Sequence, residues 1–448
     1  MQSQQKSLRV YVLLLIVATL FSGCAAPMAA VPAAQESAGA APAAAGGEAA
    51  ASSPAEAPAA AAPAAESARP AREPAAAAPA APSSHRSPTP VPYSREQRPA
   101  EPVTAGVVDD NEQWNDYLDY RARHDYLWVN ERDITERITI QVWDEASEPV
   151  HDATVEIYGD QQQVIFTGRT DAGGRLFFHP RALDGNPRVQ TYFVTASKGY
   201  VAQRQQFSRQ ESRWTITLID PPAAERTQLD LLFLIDATGS MSDEIDKLKN
   251  SMAAIASQID SLPERPSVRY SLVAYRDRGD AFVVKAEAFT SHLSRFQTQL
   301  SRLQAEGGGD YPESLNEALH IALHNSDWTR EDAVRLVLLV ADAPPHLDYQ
   351  ERYAYDTDML EAVAMGVKIF PVGASGLDEQ GEYIFRQMAQ FTGGKFVFLT
   401  YEEGGDASSG PGTETTHDVD NYSVDTLDRL VVRLVREELA KLPQGNRQ

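Results

Sequence analysis

One cysteine, Cys24, occurs in 448 residues, which excludes an internal disulfide framework and any cysteine-rich zinc module. Basic residues are also in deficit. Forty Lys and Arg stand against 63 Asp and Glu, a formal charge of −23, and no basic stripe offsets it. A phosphate backbone would be repelled, so nucleic acid is not an expected partner. The apolar run at residues 10–20 falls short of the ~20 residues that a membrane-spanning helix needs. Also absent are a Gly-Lys-Ser/Thr phosphate loop, a His-Glu-x-x-His pair and a serine framed as Gly-x-Ser-x-Gly. The chain is therefore not expected to be an enzyme.

Aromatic residues are almost missing from residue 25 to about 105, where Ala, Pro, Ser and Glu dominate and 15 of the 28 prolines fall. Such a composition buries too little apolar surface to offset chain entropy, so residues 24–105 read as a disordered tether. Its random-coil reach would be about 50 Å, and about 250 Å when drawn into polyproline II. Ahead of it, Lys6 and Arg9 precede the apolar run, the layout of a secretory signal over residues 1–23. Leu20-Phe21-Ser22-Gly23-Cys24 resembles a bacterial lipobox, with Phe21 where leucine is usual. The resemblance implies that Cys24 is lipidated and that acyl chains attach the protein to a membrane. Ala25 after the cysteine implies the outer membrane in a Gram-negative cell, and otherwise the outer face of the cytoplasmic membrane.

Three folded pieces are expected beyond the tether. Residues 106–137 are acidic and aromatic, with Trp114, Tyr117, Leu118, Tyr120 and Arg121 spaced for a short amphipathic helix, either packed on a neighbour or an exposed linker. From Ile138 the period changes to two, and six short strands separated by turn signals predict a small all-β sandwich over residues 138–221. The runs Glu148-Pro149-Val150-His151-Asp152-Ala153-Thr154-Val155 and Thr170-Asp171-Ala172-Gly173-Gly174 resemble the carboxypeptidase-regulatory-like, transthyretin-like repeat. Here Ser147, Glu148 and Asp152 occupy usual glycine positions; the resemblance implies a spacer or adhesion module.

The third piece, residues 228–442, alternates strands and helices. Its run at 229–235, apolar but for Asp230, suits a strand buried on both faces, and residues 334–340 read as a further strand. The order predicts an α/β fold, a Rossmann-like, doubly wound, mostly parallel sheet whose ligands bind at the carboxyl ends of strands. After the first of these strands stands Asp236-Ala237-Thr238-Gly239-Ser240, and after the later one Asp342. Between them lies Gly307-Gly308-Gly309-Asp310-Tyr311-Pro312-Glu313. Carboxylates and hydroxyls converging from such loops are hard oxygen donors, suited to Mg²⁺, Ca²⁺ or Mn²⁺. Helix capping is the other common use of aspartates placed like these. The segment 275–280 reads as a surface turn, unless Asp277 flanks the metal loops, and His346 as a loop residue.

These residues resemble the von Willebrand factor A domain, over residues 230–442. Asp236-x-Thr238-x-Ser240 fits its metal-ion-dependent adhesion site, with Thr238 where serine is usual, and Asp342 fits the later aspartate. The glycine-rich run makes Asp310 the candidate middle ligand. The resemblance implies a divalent cation, Mg²⁺ foremost, that accepts a carboxylate from a protein partner. A phosphatase with an aspartate nucleophile would need a second acid where Thr238 stands.

The composite expectation is a cell-envelope lipoprotein that binds a protein partner through its cation, in adhesion or envelope assembly. A scaffold whose metal only stabilises loops is the alternative, ahead of a metal-assisted hydrolase. Replacing Cys24 by Ser should release the protein from membranes, since the apolar run is too short to anchor stably. Fractionation checks this: retention of the variant in the membrane pellet at wild-type levels would contradict lipid attachment at Cys24.

Overall fold

The computed structural model describes residues 101–183, 189–222, 228–263, 266–309, 311–349 and 352–443. The signal, Cys24, nearly all of the tether and Asp310 lie outside the described residues. Among the described residues no helix is long and apolar enough to cross a membrane.

The first elements are strand β1 (Thr104–Val108) and helix α1 (Trp114–Arg123). Seven strands follow: β2 (Ile138–Trp143), β3 (Thr154–Tyr158), β4 (Val164–Arg169), β5 (Arg175–Phe178), β6 (Thr191–Lys198), β7 (Val201–Ser208) and β8 (Arg213–Thr217). They make a three-stranded sheet, β5-β2-β8, and a four-stranded sheet, β4-β3-β6-β7. Side chains alternate in and out along β2, β3 and β6, as a half-buried sheet requires. Trp214 from one sheet packs between Tyr192 and Phe207 from the other, with ring centroids 5.3 and 5.2 Å away. β7 had no sequence signal because its middle residues, Ala202 to Gln206, are all exposed, leaving no apolar alternation to read.

The α/β part comprises β9 (Gln228–Asp236), α2 (Ile245–Asp260), β10 (Ser267–Tyr275), β11 (Val284–Thr290), α3 (Leu293–Ser301), α4 (Leu315–His324) and β12 (Ala333–Ala341). It continues with α5 (Tyr355–Met365), β13 (Val367–Gly373), α6 (Glu379–Thr392), β14 (Phe396–Thr400), β15 (Asp425–Thr426) and α7 (Leu427–Ala440). One eight-stranded sheet runs β11-β10-β9-β12-β13-β14-β1-β15, with β10, β9, β12, β13 and β14 parallel to their neighbours in that series. Every residue of β12 is buried. Alternate residues of β9 face opposite cores: Leu231, Phe233 and Ile235 meet the α2, α3 and α7 side, while Leu232 and Leu234 meet α4, α5 and α6. The mostly parallel, doubly wound sheet is thus as the alternation of strands and helices predicts.

One boundary is corrected. The tether was expected to run to residue 105, yet Thr104 and Ala105 pair with Thr400 and Leu399 of β14, so β1 belongs to the large sheet. Gly106 lies where a Cβ would meet the Phe398 ring at 2.5 Å, so a side chain there would displace that ring. A five-residue strand whose partner lies about three hundred residues away carries no local mark that separates it from tether. α1 is not an exposed linker. Tyr117 and Tyr120 are buried, and the Arg386 guanidinium of α6 lies 3.7 Å over the Tyr120 ring while bonding Asp110.

Buried ion pairs fasten the small sheets to the large one. Asp152 accepts from Arg335 Nη1 and Nη2 of β12 at 2.9 and 3.2 Å, from Arg169 at 3.1 Å and from the Asp332 backbone N–H at 2.6 Å. Its φ is +55°, and Ser147, at another usual glycine position, has φ +63°. Both therefore keep the left-handed backbone that glycine would adopt, at a cost of about 1–2 kcal/mol each. Asp152 recovers that cost through a carboxylate that glycine lacks. A second tie joins Lys368 of β13 to Asp171 at 3.0 Å and to Glu438 of α7 at 2.9 Å.

Burial alone would raise the Asp152 pKa, but Arg335 outweighs it and holds the carboxyl below its ordinary value. The stabilisation is therefore present above the ordinary aspartate pKa of ~3.9 and is lost as pH falls through the depressed folded value. Asp152→Ala should cost about 3–5 kcal/mol near neutral pH, because it strands Arg335 uncompensated. Urea unfolding of variant and wild type should show this gap closing in acid.

Candidate metal centre

The order of strands reverses between β9 and β12, so a crevice opens at their carboxyl ends. Asp236 is the last residue of β9, Tyr275 pairs with it at the end of β10, and Asp342 follows β12 directly. Full burial of the two central strands is what carries these carboxylates to one rim. The Thr238 backbone N–H and hydroxyl donate to Asp236 Oδ1 at 2.9 and 2.6 Å, and Thr238 Oγ1 lies 3.1 Å from Ser240 Oγ. Asp236 and Thr238 are fully buried, whereas Ser240 is exposed. The cluster thus has a closed floor and an open side.

Three loops are stitched around it. Gly239 N–H donates to Gly307 O at 2.8 Å, and Glu306 N–H to Ala237 O at 3.0 Å. Gly307 and Gly308 have φ of +80° and +69°, a left-handed pair that favours glycine. The Asp280 carboxylate accepts from Gly308 N–H at 2.9 Å, and Arg276 donates to Ala237 O and Gln304 O at 3.1 and 2.9 Å. Tyr275, Arg276 and Asp277 are buried. The expectation of a surface turn at 275–280 therefore fails in its first half, where the side chains brace the metal loops. Asp277 itself accepts from Ser314 Oγ at 2.7 Å and Tyr349 OH at 2.9 Å. It contributes by holding loops, with both oxygens engaged. His346 is a loop residue, its Nδ1 2.7 Å from Asp348 and its ring stacked on Tyr349 at 3.6 Å.

The structure brings Asp236, Thr238, Ser240 and Asp342 together. Asp310, the expected middle ligand, lies outside the described residues. Glu313, three residues on, was quoted in the motif but given no role; it joins the same acidic group. Its N–H donates to Pro344 O at 3.1 Å, clipping it to the Asp342 loop. The signal was the acid at the end of the glycine run, which adjacency to Asp310 masked.

Asp236 Oδ2, Asp342 Oδ1 and Glu313 Oε2 are buried with no hydrogen-bond partner. Burial, with the Asp342 charge second, pushes Asp236 up to about 7; burial pushes Asp342 up to about 6 against the opposing Ser240 hydroxyl. Burial, then the charges of Asp236 and Asp277, pushes Glu313 up to about 9. Orphaned carboxylate oxygens in a repelling group are the signature of a place for a cation, and the all-oxygen donor set suits a hard divalent ion.

Residues 230–352 match the von Willebrand factor A domain family. Human von Willebrand factor A domain-containing protein 7 is 33% identical over 143 residues, 31% of this chain and 15% of that protein. Alpha-protein kinase vwkA of Dictyostelium discoideum is 28% identical over 122 residues, 26% of this chain and 19% of that protein. The chain thus spans less than a fifth of either relative. Among solved structures, proximal thread matrix protein 1 from the mussel byssus, with a zinc-occupied adhesion motif, aligns at 16% identity and TM-score 0.28, covering 35% of this chain and 41% of that one.

Raised carboxylate pKa values mean that these groups favour the metal-free fold at low pH and cost stability as pH rises from the ordinary carboxylate pKa of ~4 up to the folded values of about 6, 7 and 9. In chelator, the melting temperature should fall across that window; with a divalent ion present, the fall should flatten. Each tenfold excess of cation over its Kd should add about 1.4 kcal/mol, roughly 3 °C, and Asp236→Ala should abolish this gain. Scanning calorimetry with and without chelator is the check.

Proposed function

We propose that this von Willebrand factor A domain protein captures a protein partner through a divalent cation, Mg²⁺ foremost, with Ca²⁺ or Mn²⁺ able to substitute. Asp236, Thr238, Ser240 and Asp342 would hold the ion, with Asp310 as a further ligand and Asp277 bracing the loops. The observation that carries the reading is the trio of unpartnered buried carboxylate oxygens in one acidic group, at a rim where Ser240 is exposed. A cation seated there has protein on one side and solvent on the other. An acidic side chain of a partner can complete its shell from the open side, giving a directional, charge-assisted contact.

Binding is the simpler reading because hydrolysis would need a base poised over an open coordination position, whereas capture of a partner needs only the ion and an open side. His346 Nδ1 lies 2.7 Å from Asp348, its ring stacks on Tyr349, and its buried Nε2 has no hydrogen-bond partner, so we assign it no role on the cation. In the same reading Cys24 carries the lipid, the Ala/Pro tether lifts the folded part clear of the bilayer, and the small sheets act as a spacer. Adhesion or envelope assembly is the role this layout serves, at the outer membrane or the outer face of the cytoplasmic membrane. The acidic surface leaves nucleic acid out of the account.

Capture of cross-linked proteins from envelope extract should succeed in Mg²⁺ and fail in chelator. It should also fail with Asp236→Ala or Ser240→Ala in Mg²⁺, at least about tenfold below wild type, as loss of a charge-assisted contact predicts. Cation-dependent melting combined with cation-independent capture would instead favour the scaffold role.

A further inference from the structure

A second cation site lies away from the acidic rim. Helix α4 carries His320 and His324 one turn apart, and the first turn of α5 presents Asp358 to both. His320 Nδ1 is 3.1 Å and His324 Nε2 3.8 Å from the same oxygen, Asp358 Oδ1. All three potential ligand atoms lie within 4.8 Å of one another. We propose that His320, His324 and Asp358 form a site for a borderline divalent transition metal, zinc foremost, separate from the oxygen-only rim and independent of the function proposed for it.

A simple hydrogen bond accounts for only part of this arrangement. One imidazole N–H can satisfy Asp358 Oδ1 from His320, but at 3.8 Å His324 is beyond hydrogen-bonding distance of that oxygen. Asp358 Oδ2 is buried with no partner at all, and the Asp358 side chain is only 4% exposed. It is thus a desolvated carboxylate whose hydrogen bond to His320 leaves one oxygen uncompensated. A single cation would satisfy both rings and the acid together.

The geometry also has the right scale. Ligands about 2.0–2.1 Å from a tetrahedral zinc are about 3.3 Å from each other, and the two measured separations bracket that edge. Histidines at i and i+4 on one helical face are a known way to present two such ligands. Tyr353 stacks on His320 at 3.7 Å, and the two imidazoles lie 4.3 Å apart, which fixes the ring planes. The His side chains are 25% and 35% exposed, so solvent can supply the remaining ligand. Imidazole nitrogen selects zinc, cobalt, nickel or copper over magnesium or calcium. Once loaded, the site would clamp α4, which leads out of the Glu313 loop, onto α5.

Cobalt titration of the full chain, in excess Mg²⁺ to keep the oxygen rim filled, separates the two sites. Wild type should develop the strong visible ligand-field bands of four-coordinate cobalt, and zinc should bleach them. The His320→Gln/His324→Gln protein and Asp358→Asn should lose the bands, with affinity reduced by more than the about tenfold that even an outer-shell partner is worth. Asp236→Ala should keep them. His324→Gln alone, at the more exposed position, serves if the double variant fails to fold, and unchanged melting in chelator verifies each fold. Bands that persist at wild-type affinity without the histidines, or that vanish with Asp236→Ala, would overturn the proposal, as would a wild-type protein giving only the weak bands of six-coordinate cobalt.

Discussion

Carboxylates held out of water at the rim of a sheet repel one another, and much of the α/β part is arranged so that they stay there. Asp236 and Asp342 cannot retreat, because each ends a strand whose residues are packed on both faces. Glu313 cannot swing away, because its backbone is clipped to Pro344. Thr238, Gly239, the paired left-handed glycines and the Arg276 guanidinium tie the loops together with hydrogen bonds, and Asp236 Oδ2, Asp342 Oδ1 and Glu313 Oε2 stay without partners. Sheet burial thus stores an electrostatic cost that a cation, or protonation, relieves.

Buried ion pairs join the small sheets to the large sheet that carries that rim. Asp152 and Asp171, on turns of the small sheets, meet Arg335 and Lys368 on two central strands of the large sheet. These are buried pairs with several hydrogen bonds each, and such pairs specify one docking geometry more than they add net stability. β1 makes the joint covalent as well: the chain enters the large sheet, leaves to build the small sheets, and returns as β9. A pull on the amino-terminal side would therefore load the sheet through β1 and its hydrogen bonds to β14.

Two donor chemistries coexist in one fold. The rim offers only oxygens, some neutral hydroxyls and some charged, and opens outwards at Ser240. The α4–α5 cluster offers two imidazoles and one carboxylate. On the two proposals made above, ligand type would favour a hard ion at the rim and a borderline transition metal at the α4–α5 cluster.

The sequence by itself determined the elements whose signal is local. Runs that are apolar but for Asp230 and Arg335 marked β9 and β12 because both faces of those strands are buried, and the Ile245, Leu248, Met252, Ile255 and Ile259 spacing marked α2, all five of which are buried. Asp236, Thr238, Ser240 and Asp342 were legible because they lie at the end of such a strand or in the loop that leaves it. Only the tertiary structure decided what depends on distant partners. β1 needed β14, and β7, polar along its length, needed β6. Asp152 stood out in sequence as a missing glycine, but its purpose required Arg335, 183 residues away. Glu313 and Asp277 became distinguishable, one with an orphaned oxygen and one fully engaged, only when the loops were in place. His320 and His324 share a helical face by spacing alone, yet the carboxylate that joins them comes from the next helix, because chain folding and not sequence distance decides which polar groups are desolvated together.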